Sequence, residues 1–170
     1  MEVYEAIKGR RSVRKYRKRE VPKELVKEVI EAGIWAPSAG NVQDWRFILT
    51  DKEPVKKALA MAAHNQEQIR RASWVVVVCS DLREIFRAYG RRGVELYSVQ
   101  DTAAATQNML LRAHELGLGT CWIGAFDEGA LRKILKLPGH FKPLAIIALG
   151  YPAEKPTSWR KPLEEVTIWL

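Results

Sequence analysis

Apolar and polar positions along the chain change period repeatedly, and each change marks an element. Val3, Ala6 and Ile7 fall on one side of a short helix over residues 2–8. Val21-Pro22 then opens a helix whose Leu25, Val26, Val29, Ile30 and Ile34 follow helical spacing, and which ends before Pro37. Arg46 to Thr50 reads as a strand, and Glu53 to His64 as a helix with Val55, Leu59 and Ala62 along one side. Ser73-Trp-Val-Val-Val-Val-Cys79 is a continuous β-branched run, the pattern of a strand buried on both faces. Leu82 to Tyr89 forms a short helix, and residues 93–116 give the longest helical pattern, apolar enough to cross a core or a subunit interface and closed by Gly117 and Gly119. Thr120 to Ile123 is a strand, Asp127 caps a helix, and Leu144 to Leu149 is a buried strand. The tail ends Glu165-Val-Thr-Ile-Trp-Leu170, alternating like a fifth strand. Helices and strands so interspersed imply an α+β or α/β layered domain around a mixed sheet.

The composition changes this picture little. At 170 residues, 47% hydrophobic and 28% charged, the chain suits a single globular domain. No apolar run approaches the roughly 20 residues that span a bilayer, and residues 1–9 lack the apolar centre of a secretion signal, so the cytoplasm is the expected location. Cys79 and Cys121 lie far apart in apolar surroundings, which implies reduced, buried thiols. His64, His114 and His140 are scattered and give no metal site.

Charge is more informative. Of the net +8, residues 1–19 contribute +6, from eight Lys/Arg against two Glu. The excess centres on Arg10-Arg11-Ser12-Val13-Arg14-Lys15-Tyr16. A solvated patch, a nucleic-acid surface, an anionic membrane or a phosphorylated small molecule each accounts for such a cluster. Its arginines offer a planar fork for phosphate oxygens, and Ser12 adds a hydroxyl. Nucleic-acid binders carry an extended basic face with exposed stacking aromatics. Here the cations are concentrated, and most aromatics lie in buried segments. The chain has no phosphate loop, no dinucleotide glycine fingerprint, no Gly-x-Ser-x-Gly elbow and no acid pair marked for acid–base work. Any difficult chemistry therefore belongs to a cofactor.

Four motifs in order carry a resemblance. They are Arg10 to Tyr16; Ala36-Pro37-Ser38-Ala39-Gly40-Asn41-x-Gln43-x-Trp45; Gly117-Leu-Gly-Thr-Cys-Trp-Ile-Gly124; and Trp159-Arg160-Lys161-Pro162. Together they resemble the nitroreductase family of FMN-dependent oxidoreductases, at the shorter end of its range. The resemblance implies an α+β fold with a mixed, mainly antiparallel central sheet flanked by helices. It also implies a homodimer with FMN at the interface, a core over 1–152, and a C-terminal extension over 153–170 swapped onto the partner.

By that resemblance Arg10, Arg11, Ser12 and Arg14 contact the FMN phosphate, ribityl chain and ring edge, and Arg160 with Lys161 closes on the phosphate. Pro37, Ser38, Ala39 and Asn41 come from the other subunit and pack along the ring, supported by Gln43. Asn65 hydrogen-bonds the ring, and Ile123 and Gly124 present backbone N–H groups to it. The implied reaction is a ping-pong exchange. NADH or NADPH delivers hydride and leaves, and a nitroaromatic, quinone or similar small acceptor takes the electrons. A flavin-binding or flavin-converting protein without nicotinamide turnover shares these motifs; a basic nucleic-acid module is the remote alternative. The chain departs from the family at Asp44, where proline is common, and at Gln68, where some members place a lysine.

Overall fold

The computed structural model describes all 170 residues, Met1–Leu170. The elements in chain order are α1 Val3–Gly9, α2 Lys23–Ile34, β1 Trp45–Thr50, α3 Glu53–Ala62, α4 Glu67–Arg71, β2 Trp74–Asp81, α5 Leu82–Arg92, α6 Ser98–Glu115, β3 Gly119–Ile123, α7 Glu128–Leu135, β4 Phe141–Gly150 and α8 Leu163–Val166. The four strands lie in the order β1-β2-β4-β3, and every pair is antiparallel. The only parallel pairing is a single bridge between Ser12 and Thr120, so the expected mixed character shrinks to that contact.

The β2 run is central and covered on both faces. Val75, Val77 and Cys79 point to one side, where Leu59 of α3, Ile69 of α4 and Leu131 of α7 meet Ile146 and Ala148 of β4. Val76 and Val78 point to the other, against Val26 and Val29 of α2 and Met109, Leu110 and Ala113 of α6. Side-chain alternation with a period of two thus builds two cores from one strand, and each is closed by its own helix layer.

Three local expectations change. The helical pattern from residue 93 begins as a π turn over Gly93–Tyr97 and becomes α-helical only at Ser98. The five-residue α4 has too little periodicity to stand out in the sequence. The tail alternation over 165–170 is not a strand within one chain. Leu163–Val166 is a single helical turn, and Ile168, Trp169 and Leu170 are exposed and pair with no strand of the chain's own sheet. Asp127 caps α7 as expected, its carboxylate accepting from the N–H of Ala130 at 2.7 Å. No helix is long and apolar enough to cross a membrane.

Candidate functional site

The basic segment is anchored largely through its backbone, which leaves the side chains of Arg10 and Arg14 free. The Val13 N–H donates to the Thr120 carbonyl of β3 at 2.8 Å. On the other side the Ala153 N–H donates to the Lys15 carbonyl at 2.9 Å, and the Arg17 N–H to the Tyr151 carbonyl at 2.9 Å. The Tyr16 hydroxyl, buried and with its proton held more tightly by that burial, donates to the Val13 carbonyl at 2.7 Å. Glu154 Oε1 accepts from the N–H groups of Arg14 and Lys15 at 2.7 and 3.1 Å. Residues 12–17 are therefore a strap between β3 and the chain leaving β4. Gly119 permits that closeness: a Cβ there would lie 2.9 Å from Val13 Cβ.

The cations on the strap differ in what they do. Arg11 turns back on α1, donating to the carbonyls of Lys8 and Arg10 at 2.6 and 2.8 Å, so it caps that helix. Arg10 is half-buried, yet its guanidinium has neither a hydrogen bond nor an ion pair. Burial, Arg160 and then Arg11 lower its pKa. Arg160 is exposed; it donates to the Ser158 hydroxyl and the Trp159 carbonyl, both at 2.8 Å. His114, at the end of α6, is held neutral by burial and by Arg10 and Arg11. A cleft of about 470 Å³ opens beside Arg10 and Arg11, with His114, Thr120 and Glu154 on its walls. Positive charge thus gathers around Arg10 without a carboxylate bonded to it, an arrangement that suits a compact anion.

A second wall continues from Arg14. Its charge acts on the Cys121 thiol, which the Gln68 side chain also reaches; burial nevertheless raises that thiol's pKa. Gln66 donates to the Ala125 carbonyl at 3.2 Å, and the Asp127 N–H to the Ala62 carbonyl at 2.8 Å. These bonds tie the His64–Asn65 turn to the chain that follows Ile123 and Gly124. Asn65 is exposed with a free side-chain amide, and a Cβ on Gly124 would meet nothing within 4 Å. Ser12 and Arg14 therefore lie on the strap beside β3, and Asn65 lies in a turn tied to the chain that follows Gly124.

The Pro37–Gln43 loop does not join them within the chain. Its bonds run elsewhere: the Ala39 N–H donates to Asp101 Oδ1 of α6 at 3.0 Å, and the Gln43 N–H to the Ser38 hydroxyl at 3.0 Å. Gln43 Nε2 donates to the Asn41 carbonyl at 3.3 Å, so Gln43 braces the loop. Tyr89 of α5 packs over Gly40, leaving no room for a Cβ. Asp101 and His114 lie on the same helix, about 20 Å apart along its axis at 1.5 Å per residue. The loop and the Arg10 cluster thus sit at opposite ends of α6.

Both ligand loops are strained. Of the five non-glycine residues with positive φ, four are Asn41, Gln43, His64 and Asn65; the fifth, Lys136, ends α7. Left-handed non-glycine residues cost about 1–3 kcal/mol each and gather at ligand sites. Sequence reasoning missed His114, Glu154 and the burial of Asp44 and Asp101. His114 also packs against α1, where a Cβ on Gly9 would lie 2.7 Å from its Nε2.

The cations around Arg10 suit an anionic ligand. A model of the nitroreductase family matches residues 7–69 and 51–151. An NADH dehydrogenase of Thermus thermophilus is 34% identical over 94% of this chain and 92% of its own length. A crystal structure of a candidate nitroreductase in complex with FMN, from Desulfovibrio desulfuricans, is 35% identical with a TM-score of 0.91, covering 100% of this chain and 97% of that one. A nitroreductase family protein from Clostridium difficile is 30% identical with a TM-score of 0.88, over 99% and 98% of the two chains. With the family model matched over residues 7–151 and relatives above 30% identity along nearly its whole length, the chain belongs to the nitroreductase family.

Proposed function

We propose that this protein is an FMN-dependent oxidoreductase that carries electrons from NADH or NADPH to a small acceptor such as a nitroaromatic or a quinone. The observation that carries this reading is Arg10, a half-buried guanidinium without a partner, with the Arg160 charge beside it. A phosphate supplies the missing anion for both. Ser12 and Arg14 then follow the ribityl chain and ring edge, Asn65 meets the ring, and Ile123 and Gly124 offer backbone N–H groups. Lys161 adds charge at the phosphate end, and Arg11 holds α1 in place behind it. When bound, FMN supplies a two-electron carrier between nicotinamide and acceptor. The chain's residues orient it, and Arg14 stabilises negative charge at the ring edge.

We further infer a homodimer in which Pro37, Ser38, Ala39 and Asn41 of one subunit wall the ring held by the other, with Gln43 behind them. The separation along α6 supports this, since a ligand on the Arg10 cluster is out of reach of the same chain's loop. So does the exposed apolar surface: Trp35, Trp159 and Trp169 are 79%, 78% and 87% exposed, with Val3, Tyr4 and Ile7 bare on α1. On this reading residues 153–170 extend from the 1–152 core onto the partner, where the final residues find a sheet edge. Two free, buried thiols fit a reducing cytoplasm.

The test is the anaerobic visible spectrum of the purified protein. A flavin band that bleaches on adding NADH or NADPH, and returns with a quinone or nitroaromatic, is the expected result. Retained colour without bleaching favours a flavin-holding protein that turns over no nicotinamide. Protein that takes up no added FMN overturns both.

A further inference from the structure

Between the Pro37–Gln43 loop and the sheet lies a buried pair of acids with no cation. Asp44, the residue before β1, is fully buried, and Asp101 in the first turn of α6 is 4% exposed. One oxygen of each has a donor: the Ser80 hydroxyl bonds Asp44 Oδ2, and the Ala39 N–H bonds Asp101 Oδ1. The remaining oxygens, Asp44 Oδ1 and Asp101 Oδ2, are sealed from solvent and meet no donor. The two carboxyl groups lie within hydrogen-bonding reach of each other.

Two ionised carboxylates do not settle in such a place, since like charges repel strongly where water is excluded. One proton removes both faults at once: either carboxyl, when neutral, donates to the orphan oxygen of the other. The surroundings offer no alternative. The Asp81 N–H, one residue beyond Ser80 in β2, donates to the Asp44 carbonyl at 2.7 Å, and charged groups gather on the Asp81 side chain. Arg46, Arg83 and His140 approach its carboxylate at 3.7, 3.4 and 3.8 Å, and Glu84 takes a further bond from Arg46. None of these groups pairs with Asp44 or Asp101. The pair also brackets the strained stretch, because Asp101 holds Ala39 and Asp44 follows Gln43 directly; between them Gly40, Asn41 and Gln43 all have positive φ.

We propose that Asp44 and Asp101 share a single proton, and that this pair is the clamp positioning the Pro37–Gln43 loop, so that losing the proton loosens the loop and weakens its hold on a flavin ring. The shared proton rests on the burial of both carboxyls and their two orphan oxygens; the flavin consequence rests on the reading of the loop under Proposed function. Burial is the first cause raising Asp44 from 3.8 to about 6, Asp101 adds to it, and the Ser80 bond opposes it. The folded state therefore holds the proton more tightly than the unfolded chain. The clamp's contribution is complete below the unfolded value and is lost as pH rises through the folded one.

Asp44→Asn tests this directly. The amide donates to Asp101 Oδ2 and accepts from Ser80, copying the protonated state in a form that cannot ionise. Thermal melting of the full-length protein without flavin is compared for wild type and D44N at pH 5 and pH 8. FMN dissociation constants are measured for the same samples. The expected results are a melting advantage for D44N that widens towards pH 8, and a ratio of wild-type to D44N dissociation constants that grows about tenfold, the change one unit of pKa difference produces. The phosphate's own ionisation is common to both proteins and cancels in the ratio. Asp101→Asn, whose amide donates to Asp44 and whose oxygen still accepts from Ala39, serves as the second variant and is expected to match. A melting difference independent of pH in both variants overturns the shared proton. A widening melting difference with a flat ratio overturns the clamp's role at the flavin. Failure of both proteins to bind FMN overturns the functional reading instead, and the melting data then decide the proton by themselves.

Discussion

Arg160, near the end of the chain, lies close enough to Arg10, near its start, that the two guanidinium charges oppose each other. Neither bonds a carboxylate. Such a pair is stable only because the exposed one is screened by water, and an anion between them turns repulsion into attraction. Arg10→Ala is expected to weaken FMN binding by about tenfold to a hundredfold, the range of one hydrogen bond to a charged group. Arg160→Ala is expected to cost less than about tenfold, since solvent screens it. Fluorescence titration of FMN measures both. Unchanged affinity in Arg10→Ala would remove the phosphate assignment.

The same cluster makes His114 a reporter. Burial and the neighbouring arginines lower its pKa in the free protein. An anion seated against Arg10 offsets their charge, so the His114 pKa should rise when FMN or inorganic phosphate is added. Proton NMR titration of the imidazole reads the shift; a fall on addition would contradict the placement of the anion.

Two glycines near the site should behave oppositely. Gly119→Ala drives a methyl group into Val13 Cβ, which is fixed to the strap backbone and cannot swing aside. It is expected to destabilise the fold by about 1–3 kcal/mol, as overpacking does, and to weaken FMN binding with it. Gly124→Ala meets open space. It should leave the melting temperature unchanged while reducing FMN affinity, because the added methyl occupies volume meant for ligand. Equal effects of the two on melting would refute this contrast.

Truncation after Ser158 removes Trp159, Arg160, Lys161 and the exposed apolar end but leaves Glu154 on the strap. The two cores do not include the removed residues. The truncated chain should keep its circular dichroism spectrum, sediment as a monomer and release FMN. A flavin-loaded dimer lacking the tail would show that residues 159–170 hold neither partner nor cofactor.

Cys79 is fully buried, and burial pushes its thiol up to about 12; Cys121 is raised for the same first reason. Neither is a thiolate near neutral pH. Both are expected to resist iodoacetamide at pH 8 in the folded protein and to react fully in denaturant, which mass spectrometry of the alkylated protein checks.

Much of this was legible in the sequence because it depends on local spacing. The β2 run announced a strand covered on both faces, and the Asp127 cap and the end of α6 at Gly117 followed from residue type. The order of four short motifs carried the family. What stayed hidden depends on contacts between distant residues. Nothing in local spacing says that Asp44 meets Asp101, or that His114 faces Gly9. The tail misled for a related reason: its alternation reports β character, whereas pairing depends on where the tail runs, which local spacing does not give. Arg11 and Arg10 are adjacent and chemically identical, yet one caps a helix and the other stands unpaired. Only the direction of each side chain separates them.

The loop anchor at Asp101 and the cation cluster at His114 are fixed to one rigid helix. In the dimer proposed above, each end of that helix would serve a different ligand, so α6 would act as a ruler between two pockets. A ruler of this kind has coarse divisions. Adding one residue turns everything beyond it by about 100° and carries one end off its pocket; only a whole turn, about 5.4 Å, restores both faces. Members of the family that hold their two ligands at a different spacing are therefore expected to differ in this helix by whole turns.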